Sequence, residues 1–564
     1  MDEWRSAPPY SRLAFGLVLI VSLISVLFAL LDYPVIGHDA YVHLNWLDQF
    51  PRLFEHGILY LRWLPDSFGG FGSPTFYFYA PLVYWISGFI YFVGVHSPST
   101  LYQTVQLGFS IASVFTCYMM LRQLSCSQLR SIIGALVYSF LAYRFCDVYV
   151  RDALTEHAAL AFLPLIFLRF PDRLRSIAAY ALGWTGLLLT NLPIAYIGVI
   201  SVTVVLFARR TYRDIPLQAI SLVIAIAASA TYLFPAFALR GLVHQRHLFD
   251  LPMHTSQFGF ALLDLFQGHF DWLRILSVAT MIAGLFPLPT KEGVRGWYRN
   301  GWLWLIAIAI FMQIPFISAP IWHLFPGMPF VQFSWRWNGI LLLAIAILCS
   351  GAVSAPSPDR ADPSAGAGTA PLHINIIIGL ALITLLSELT LSRNILSHPP
   401  LPINSYRMDA PEYAPKWTSD DPSEVIGITQ RRMSDAPAIL LGFTMPDDSV
   451  TLISKSPTEW RFKVQLSREA SVRFHQFYWP YWKVQKDSTE ISLAPDPNGL
   501  ATALLPVGQY KIALRLEKSR IETVGSTVSF IGLTISVILL AVAGYRWITK
   551  EVDEHPVPVA TRNI

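Results

Sequence analysis

The sequence predicts a polytopic α-helical membrane protein that carries a small extracytoplasmic β-sandwich ahead of its last span. Three observations predict this. Of 564 residues, 54% are hydrophobic and only 14% charged, where a soluble domain carries roughly 25% charge; mean hydropathy is +0.46. Apolar runs of near-bilayer length recur along the chain. Between residues 437 and 520 the apolar period shortens to two, the mark of half-buried strands.

The same composition excludes other classes. With 41 basic and 37 acidic residues, the net charge of +4 is too small for a nucleic-acid binder, so no nucleic-acid partner is expected. Cys117, Cys126, Cys146 and Cys349 lie in or beside apolar runs without metal spacing, which argues against a disulfide scaffold or zinc finger. The chain is rich in aromatics, with 17 Trp, 24 Tyr and 36 Phe. An interfacial belt accounts for most of these, since Trp and Tyr favour membrane interfaces.

The first apolar run, 13–31, follows Arg5 and Arg12. It reads as a retained span with a cytoplasmic N-terminus, because no small-x-small cleavage site follows it. A polar, aromatic loop covers 32–75. Further runs cover 76–95, 101–121, 131–142, 153–168, 176–190, 193–207, 216–239, 272–288, 302–318, 337–353, 372–391 and 524–547, giving about 12 spans. Basic clusters at Arg122/Arg130, Arg173/Arg175, Arg209/Arg210/Arg213, Lys291/Arg295/Arg299 and Arg546/Lys550 are assigned to the cytoplasm. Segment 76–95 then begins and ends outside as a re-entrant or interfacial helix, which its aromatic, Pro-broken start suits; the alternative is a full span with one basic loop outside. Loops 32–75, 143–152, 240–271 and 319–336 fall on the outer face, and so does 392–521. A Pro/Ala/Gly/Ser linker occupies 354–370. The chain divides into a membrane module (1–391), an extracytoplasmic segment with the β-sandwich (392–521) and a final span with a cytoplasmic tail (522–564).

In the outer segment Trp460, Phe462, Val464 and Leu466 alternate with polar residues, as do Tyr510, Ile512, Leu514 and Leu516. Pro-Asp-Pro-Asn-Gly at 495–499 is turn chemistry. Trp479, Tyr481 and Trp482 follow Phe477 and Tyr478. These rings either stack on glycan or membrane interface, or pack a core.

Candidate chemistry lies in the outer loops. Asp39 and His43 are four apart and share a face if helical, with His38 adjacent. Such a set binds a divalent metal or transfers protons, unless it is a solvated helix start. The Arg62-Trp63-Leu64-Pro65-Asp66 stretch and the glycines Gly69, Gly70 and Gly72 read as a turn or a close backbone approach. Arg144, Arg151, Asp147, Asp152 and Glu156 sit at a span entrance. Ionisable groups at membrane depth are functional candidates, and an internal Arg–carboxylate network is the alternative. Arg240, His244, Arg246, His247 and His254 form a cationic stretch. Arg336 follows aromatics at a helix start and suits a lipid phosphate, or snorkels.

These stretches resemble a known family. His38-Asp39-Ala40-Tyr41-Val42-His43, Arg62-Trp63-Leu64-Pro65, 70–79, 149–156, Gln332-Phe333-Ser334-Trp335-Arg336, 477–483 and 498–500 are similar to bacterial multi-spanning proteins termed membrane protein, 6-pyruvoyl-tetrahydropterin synthase-related, close to YfhO-like proteins. These in turn look like GT-C glycosyltransferases. The resemblance implies a GT-C-like fold, an inner-membrane location and an inverting transfer of sugar from a polyprenyl-phosphate donor to a cell-envelope glycan or protein acceptor. It implies Asp39 as the acid of the first outer loop, with Glu156 matching an acid of related members. His38, His43, Arg62, Arg151 and Arg336 become candidates for binding substrate. Asp39 and His43 are the candidates for holding a divalent metal. Asp152 departs from the family, where a small or aliphatic residue is usual. A pterin-synthase zinc site of three histidines has no counterpart in this sequence. A transporter or lipid-handling protein and a non-catalytic scaffold are the rival readings.

Overall fold

The computed structural model describes residues 9–30, 37–244, 271–285, 301–350, 370–397, 409–421, 436–441, 445–487 and 489–554. Residues 354–369 of the expected linker, the Lys291/Arg295/Arg299 cluster, Arg246, His247 and His254 lie outside the described residues.

The apolar runs form helices. Among those described are α1 (Pro9–Leu30), α2 (Ala40–Gln49), α3 (Leu82–Phe92), α4 (Pro98–Gln123), α5 (Gln128–Phe140), α6 (Tyr143–Tyr149), α7 (Leu154–Phe162), α8 (Arg173–Thr190), α9 (Leu192–Arg209), α10 (Ile215–Ala228) and α11 (Ala230–Leu239). There follow α12 (Trp272–Leu285), α13 (Gly301–Phe311), α14 (Pro315–Leu324), α15 (Asn338–Cys349), α16 (Ala370–Ser397) and α17 (Arg520–Glu554). Their starts follow ordinary capping chemistry. Ser97 and Ser127 accept from the backbone N–H groups of Thr100 and Arg130, and Asn191 does the same for Ile194. Pro98 directly follows its cap and Pro193 stands one residue further in, within the first turn where a missing N–H costs nothing.

Among the described residues, four unbroken helical stretches have the length and apolarity to cross a bilayer: Pro98–Gln123, Leu192–Arg209, Ile374–Leu391 and Arg520–Arg546. Two further candidates are bent pairs. Gln128–Phe140 and Tyr143–Tyr149 meet at 41°, and Tyr212–Ala228 and Ala230–Leu242 at 76°. The second bend interrupts the run 216–239 that the sequence presents as continuous. The last helix packs into it through glycine: a Cβ on Gly532 would lie 2.3 Å from the backbone nitrogen of Ala228, and one on Gly525 2.7 Å from the carbonyl of Ala230. Segment 76–95 is also broken. A turn at Thr75–Phe78 precedes α3, whose 11 residues span about 17 Å, short of the roughly 30 Å of hydrocarbon.

The strands lie where alternation placed them. One antiparallel sheet orders β1 (Ala438–Leu441), β4 (Ala470–Phe477), β8 (Leu500–Leu505) and β7 (Leu493–Pro495). The other orders β2 (Ser449–Lys455), β3 (Glu459–Leu466), β9 (Gly508–Leu516), β5 (Trp482–Lys486) and β6 (Thr489–Ile491). Trp460, Phe462, Val464, Ile512 and Leu514 of the second sheet share one buried core with Val472, Phe474, Ala503 and Leu505 of the first. Phe462 and Phe474 meet across it at 5.4 Å.

That core does not stop at the sheets. It continues into the first loop through Trp63, Phe68, Phe71, Phe76 and Tyr77. Trp479 and Trp482 are fully buried there, 6.1 and 5.9 Å from Trp63. Of the two readings open for these rings, core packing holds for Trp479 and Trp482. Gln476 accepts from the Trp63 indole at 2.8 Å and donates to the Gly70 carbonyl at 2.9 Å. Gly72 has φ +83, and a Cβ on it would fall 2.4 Å from the Trp63 ring nitrogen. The glycine loop is therefore the seat of the β-sheets. Gly72→Ala combines a left-handed backbone with that clash and should destabilise the protein by about 1–3 kcal/mol, measured as a lowered thermal midpoint in detergent.

Candidate active site

Residues 37–39 meet the loop 150–152 beside one half-buried carboxylate. Asp39 precedes α2, and its backbone N–H donates to the Arg151 carbonyl at 2.9 Å. Gly37 donates to the Asp152 carboxylate, whose other oxygen accepts from the Tyr102 hydroxyl at 3.1 Å. A Cβ on Gly37 would lie 2.5 Å from that carboxylate, so only glycine permits the approach. Asp152 itself stands at φ +54, a costly conformation for a non-glycine residue. Burial pushes its carboxyl up to about 7, against the pull of the Gly37 and Tyr102 hydrogen bonds. Asp152 thus ties the segment before α2 to the loop before α7.

Below this contact lies a buried ion network. Arg151 Nη1 reaches Asp147 Oδ1 at 2.7 Å, Glu156 Oε2 at 2.9 Å and the Tyr143 hydroxyl at 3.1 Å. Arg336 Nε donates to the same Glu156 oxygen at 3.0 Å, and its Nη1 to the Val331 carbonyl and Gln332 Oε1. Tyr143 donates to Glu156 Oε1 at 2.6 Å. Glu156 therefore has three donors on two oxygens, which suits a clamp that orients two guanidiniums better than a base that must accept a proton. Among the described residues, Arg151 Nε and Nη2 and Arg336 Nη2 have no hydrogen-bond partner.

Asp39 lies near enough to this network to feel its charges, and its carboxylate makes no cap hydrogen bond at the start of α2. Burial raises its pKa; Arg151, His38 and Arg336 hold it down, and Glu156 raises it further. His38 stands next to it in sequence, its own pKa lowered chiefly by desolvation of the ring. Tyr79 donates to or accepts from Thr155 at 2.9 Å and feels both Asp39 and Arg336.

The remaining candidates lie elsewhere. His43 turns inward, its Nδ1 2.7 Å from the Tyr84 hydroxyl, among Trp46, Tyr79 and Tyr102. Burial, then Arg151, lowers its pKa to about 3, so it is a neutral core imidazole. Among the described residues no group of three His, Cys, Asp or Glu is placed to hold a metal. Because unfolded His43 protonates near 6.5 and the folded residue only near 3, the unfolded state binds more protons between those values. His43 therefore costs stability as pH falls through that window. His43→Gln should flatten the acid limb of thermal stability measured from pH 7 to pH 4.

Arg62 is a structural tie. It is buried, with Nη1 on Glu522 Oε1 at 3.0 Å, Nη2 on the Thr231 carbonyl at 2.8 Å and its guanidinium 4.2 Å from the Tyr60 ring. Glu522 also closes a capping box with Ser519 at the start of α17. His244, the described histidine of the cationic stretch, pairs with Asp420 at 2.9 Å.

Glu412 has no signal in the sequence. It sits in a turn, Pro411–Tyr413, whose Tyr413 packs 6.2 Å from Trp46 and 6.1 Å from Tyr79. Asp409, just before the turn, accepts from the Trp46 indole at 2.9 Å and the Thr75 hydroxyl at 3.1 Å. These contacts hold the turn that carries Glu412 against Trp46 of α2.

No known family profile matches the chain, and no curated protein matches it. Solved structures give distant likenesses. An arabinofuranosyltransferase AftD from Mycobacteria is 12% identical with a TM-score of 0.40, covering 69% of this chain and 28% of that one. An oligosaccharyltransferase from Archaeoglobus fulgidus is 14% identical with a TM-score of 0.34, covering 68% of this chain and 53% of that one. The chain thus spans between about a quarter and a half of the length of these solved chains.

Proposed function

We propose that the chain is a GT-C-like glycosyltransferase that moves a sugar from a polyprenyl-phosphate donor to a cell-envelope acceptor on the outer face of the inner membrane. One observation carries the reading: Asp39, a half-buried carboxylate that caps no backbone N–H, is joined to Arg151 through its own N–H and feels the charges of two guanidiniums that Glu156 clamps together. The sequence resemblance supports it independently, since it assigns the acid of the first outer loop to Asp39.

The chemistry follows from these residues. Asp39 accepts the proton of an acceptor hydroxyl as that oxygen bonds to the anomeric carbon. The carbon–oxygen bond to the donor phosphate breaks on the opposite side, and configuration inverts. The departing phosphate carries the new charge, and the unpartnered N–H groups of Arg151 and Arg336 are the donors that stabilise it. Glu156 and Asp147 hold those arginines in place.

The test is transfer of labelled sugar from a polyprenyl-phosphate donor to envelope fractions by the purified full chain. Accumulation of labelled product is expected, and its absence across donors removes the reading. Orientation has its own test. In a background without native cysteines, single cysteines at the exposed positions Asp66 and Asn498 should react with an impermeant thiol reagent in intact spheroplasts, and one at Arg210 should not. The opposite pattern would put the site on the cytoplasmic side.

A further inference from the structure

Arg144 of α6 has no part in the transfer chemistry. Its side chain is fully buried. Nη1 donates to the His157 carbonyl at 3.1 Å, Nη2 donates to Ser113 Oγ at 2.8 Å, and the guanidinium lies 5.5 Å from the Tyr138 ring. Nε is buried without a hydrogen-bond partner among the described residues. All of these partners are neutral. The carboxylates nearest in sequence are committed elsewhere, Asp147 to Arg151 and Glu156 to both Arg151 and Arg336. Those guanidiniums and carboxylates balance one another, and the charge of Arg144 is left over. A buried cation without a counter-charge is costly, the more so inside a span.

Beside Arg144, where α1, α4, α5 and α6 meet, is a cavity with room for a single small particle. Arg144, Ser110, Ser139, Phe140, Phe145 and Tyr149 line it. Ser139 is buried too, and its hydroxyl has no partner among the described residues. The Ser110 hydroxyl donates to the Gln106 carbonyl at 3.0 Å, and the Tyr149 hydroxyl to the Ser25 carbonyl. Ser25 gives its own hydroxyl to Glu388 at 2.8 Å, and Glu388 does not line the cavity. The wall thus carries a charged N–H and a hydroxyl that are both free to donate.

We propose that this cavity is a binding site for a monovalent halide ion, chloride, which supplies the counter-charge that Arg144 lacks. Arg144 Nε and the Ser139 hydroxyl are its donors. A water molecule would satisfy the donors but bring no charge. A phosphate or a carboxylate is too large for a cavity that takes one small particle. The site is separate from the proposed sugar transfer and does not rest on it.

The test is the thermal midpoint of the full chain in detergent at constant ionic strength, with chloride exchanged stepwise for gluconate. An ion that binds only the folded chain stabilises it by mass action, so the midpoint should rise with chloride and saturate, and bromide should replace chloride. Arg144→Gln should abolish the dependence. Ser139→Ala removes one uncharged hydroxyl and should leave the fold intact, while raising the half-saturating chloride concentration several-fold. Where Arg144→Gln does not fold, Ser139→Ala decides. Crystals grown in bromide should show its anomalous signal beside Arg144. A midpoint indifferent to chloride overturns the proposal, as does a dependence that Ser139→Ala leaves unchanged, or density beside Arg144 without the bromide signal, which would mark a water.

Discussion

Asp39→Asn should lower sugar transfer by roughly 10²–10⁴-fold, the range for a positioned general base, while leaving the fold intact. Asparagine keeps the size of the side chain and removes only its charge and basicity. The carboxylate makes no cap hydrogen bond at the start of α2, so no cap is lost. Burial already disfavours its charged form, so the neutral amide should hold or slightly raise the thermal midpoint. The paired measurement is initial rate of transfer and thermal unfolding of the same preparation. Full activity would remove Asp39 from the mechanism; loss of both activity and stability would make it a structural residue.

Glu156→Ala should do the opposite and fail chiefly in folding. The substitution leaves Arg151 and Arg336 buried with much of their counter-charge gone, and Tyr143 without its acceptor. Breaking a buried ion network from one side typically costs about 3–5 kcal/mol, a large share of the stability of most domains. Asp147 remains as a partner for Arg151, so Arg336 bears most of the loss. Thermal unfolding in detergent should show it. Unchanged stability together with lost transfer would instead mark Glu156 as the reacting acid.

The sequence carries some of this architecture and not the rest, for physical reasons. Strands β3 and β9 are legible because alternation of Trp460, Phe462, Val464 and Leu466 with charged residues is a local signal. Asp39 is legible because it stands in a polar loop next to an apolar run. The ion network is only half legible. Arg151 and Glu156 are five residues apart, but Arg336 joins Glu156 across 180 residues. Arg62 is a substrate-binding candidate by resemblance alone, and its partner Glu522 lies 460 residues away. Asp152 looks incidental until Gly37 is seen against it. His43 keeps its place four residues beyond Asp39, but helical spacing does not say that the ring faces Tyr84. Glu412 sits in a three-residue turn with no periodicity to announce it. Aromatic residues near a sheet end are ambiguous between stacking and core, and Trp63 decides the matter only in three dimensions.

The most direct test of the account is a structure of the full chain with a polyprenyl-phosphate sugar bound. The account predicts density for the phosphate on the open N–H groups of Arg151 and Arg336, with the anomeric carbon turned toward Asp39. A phosphate seated away from both arginines, or a sugar out of reach of Asp39, would contradict it.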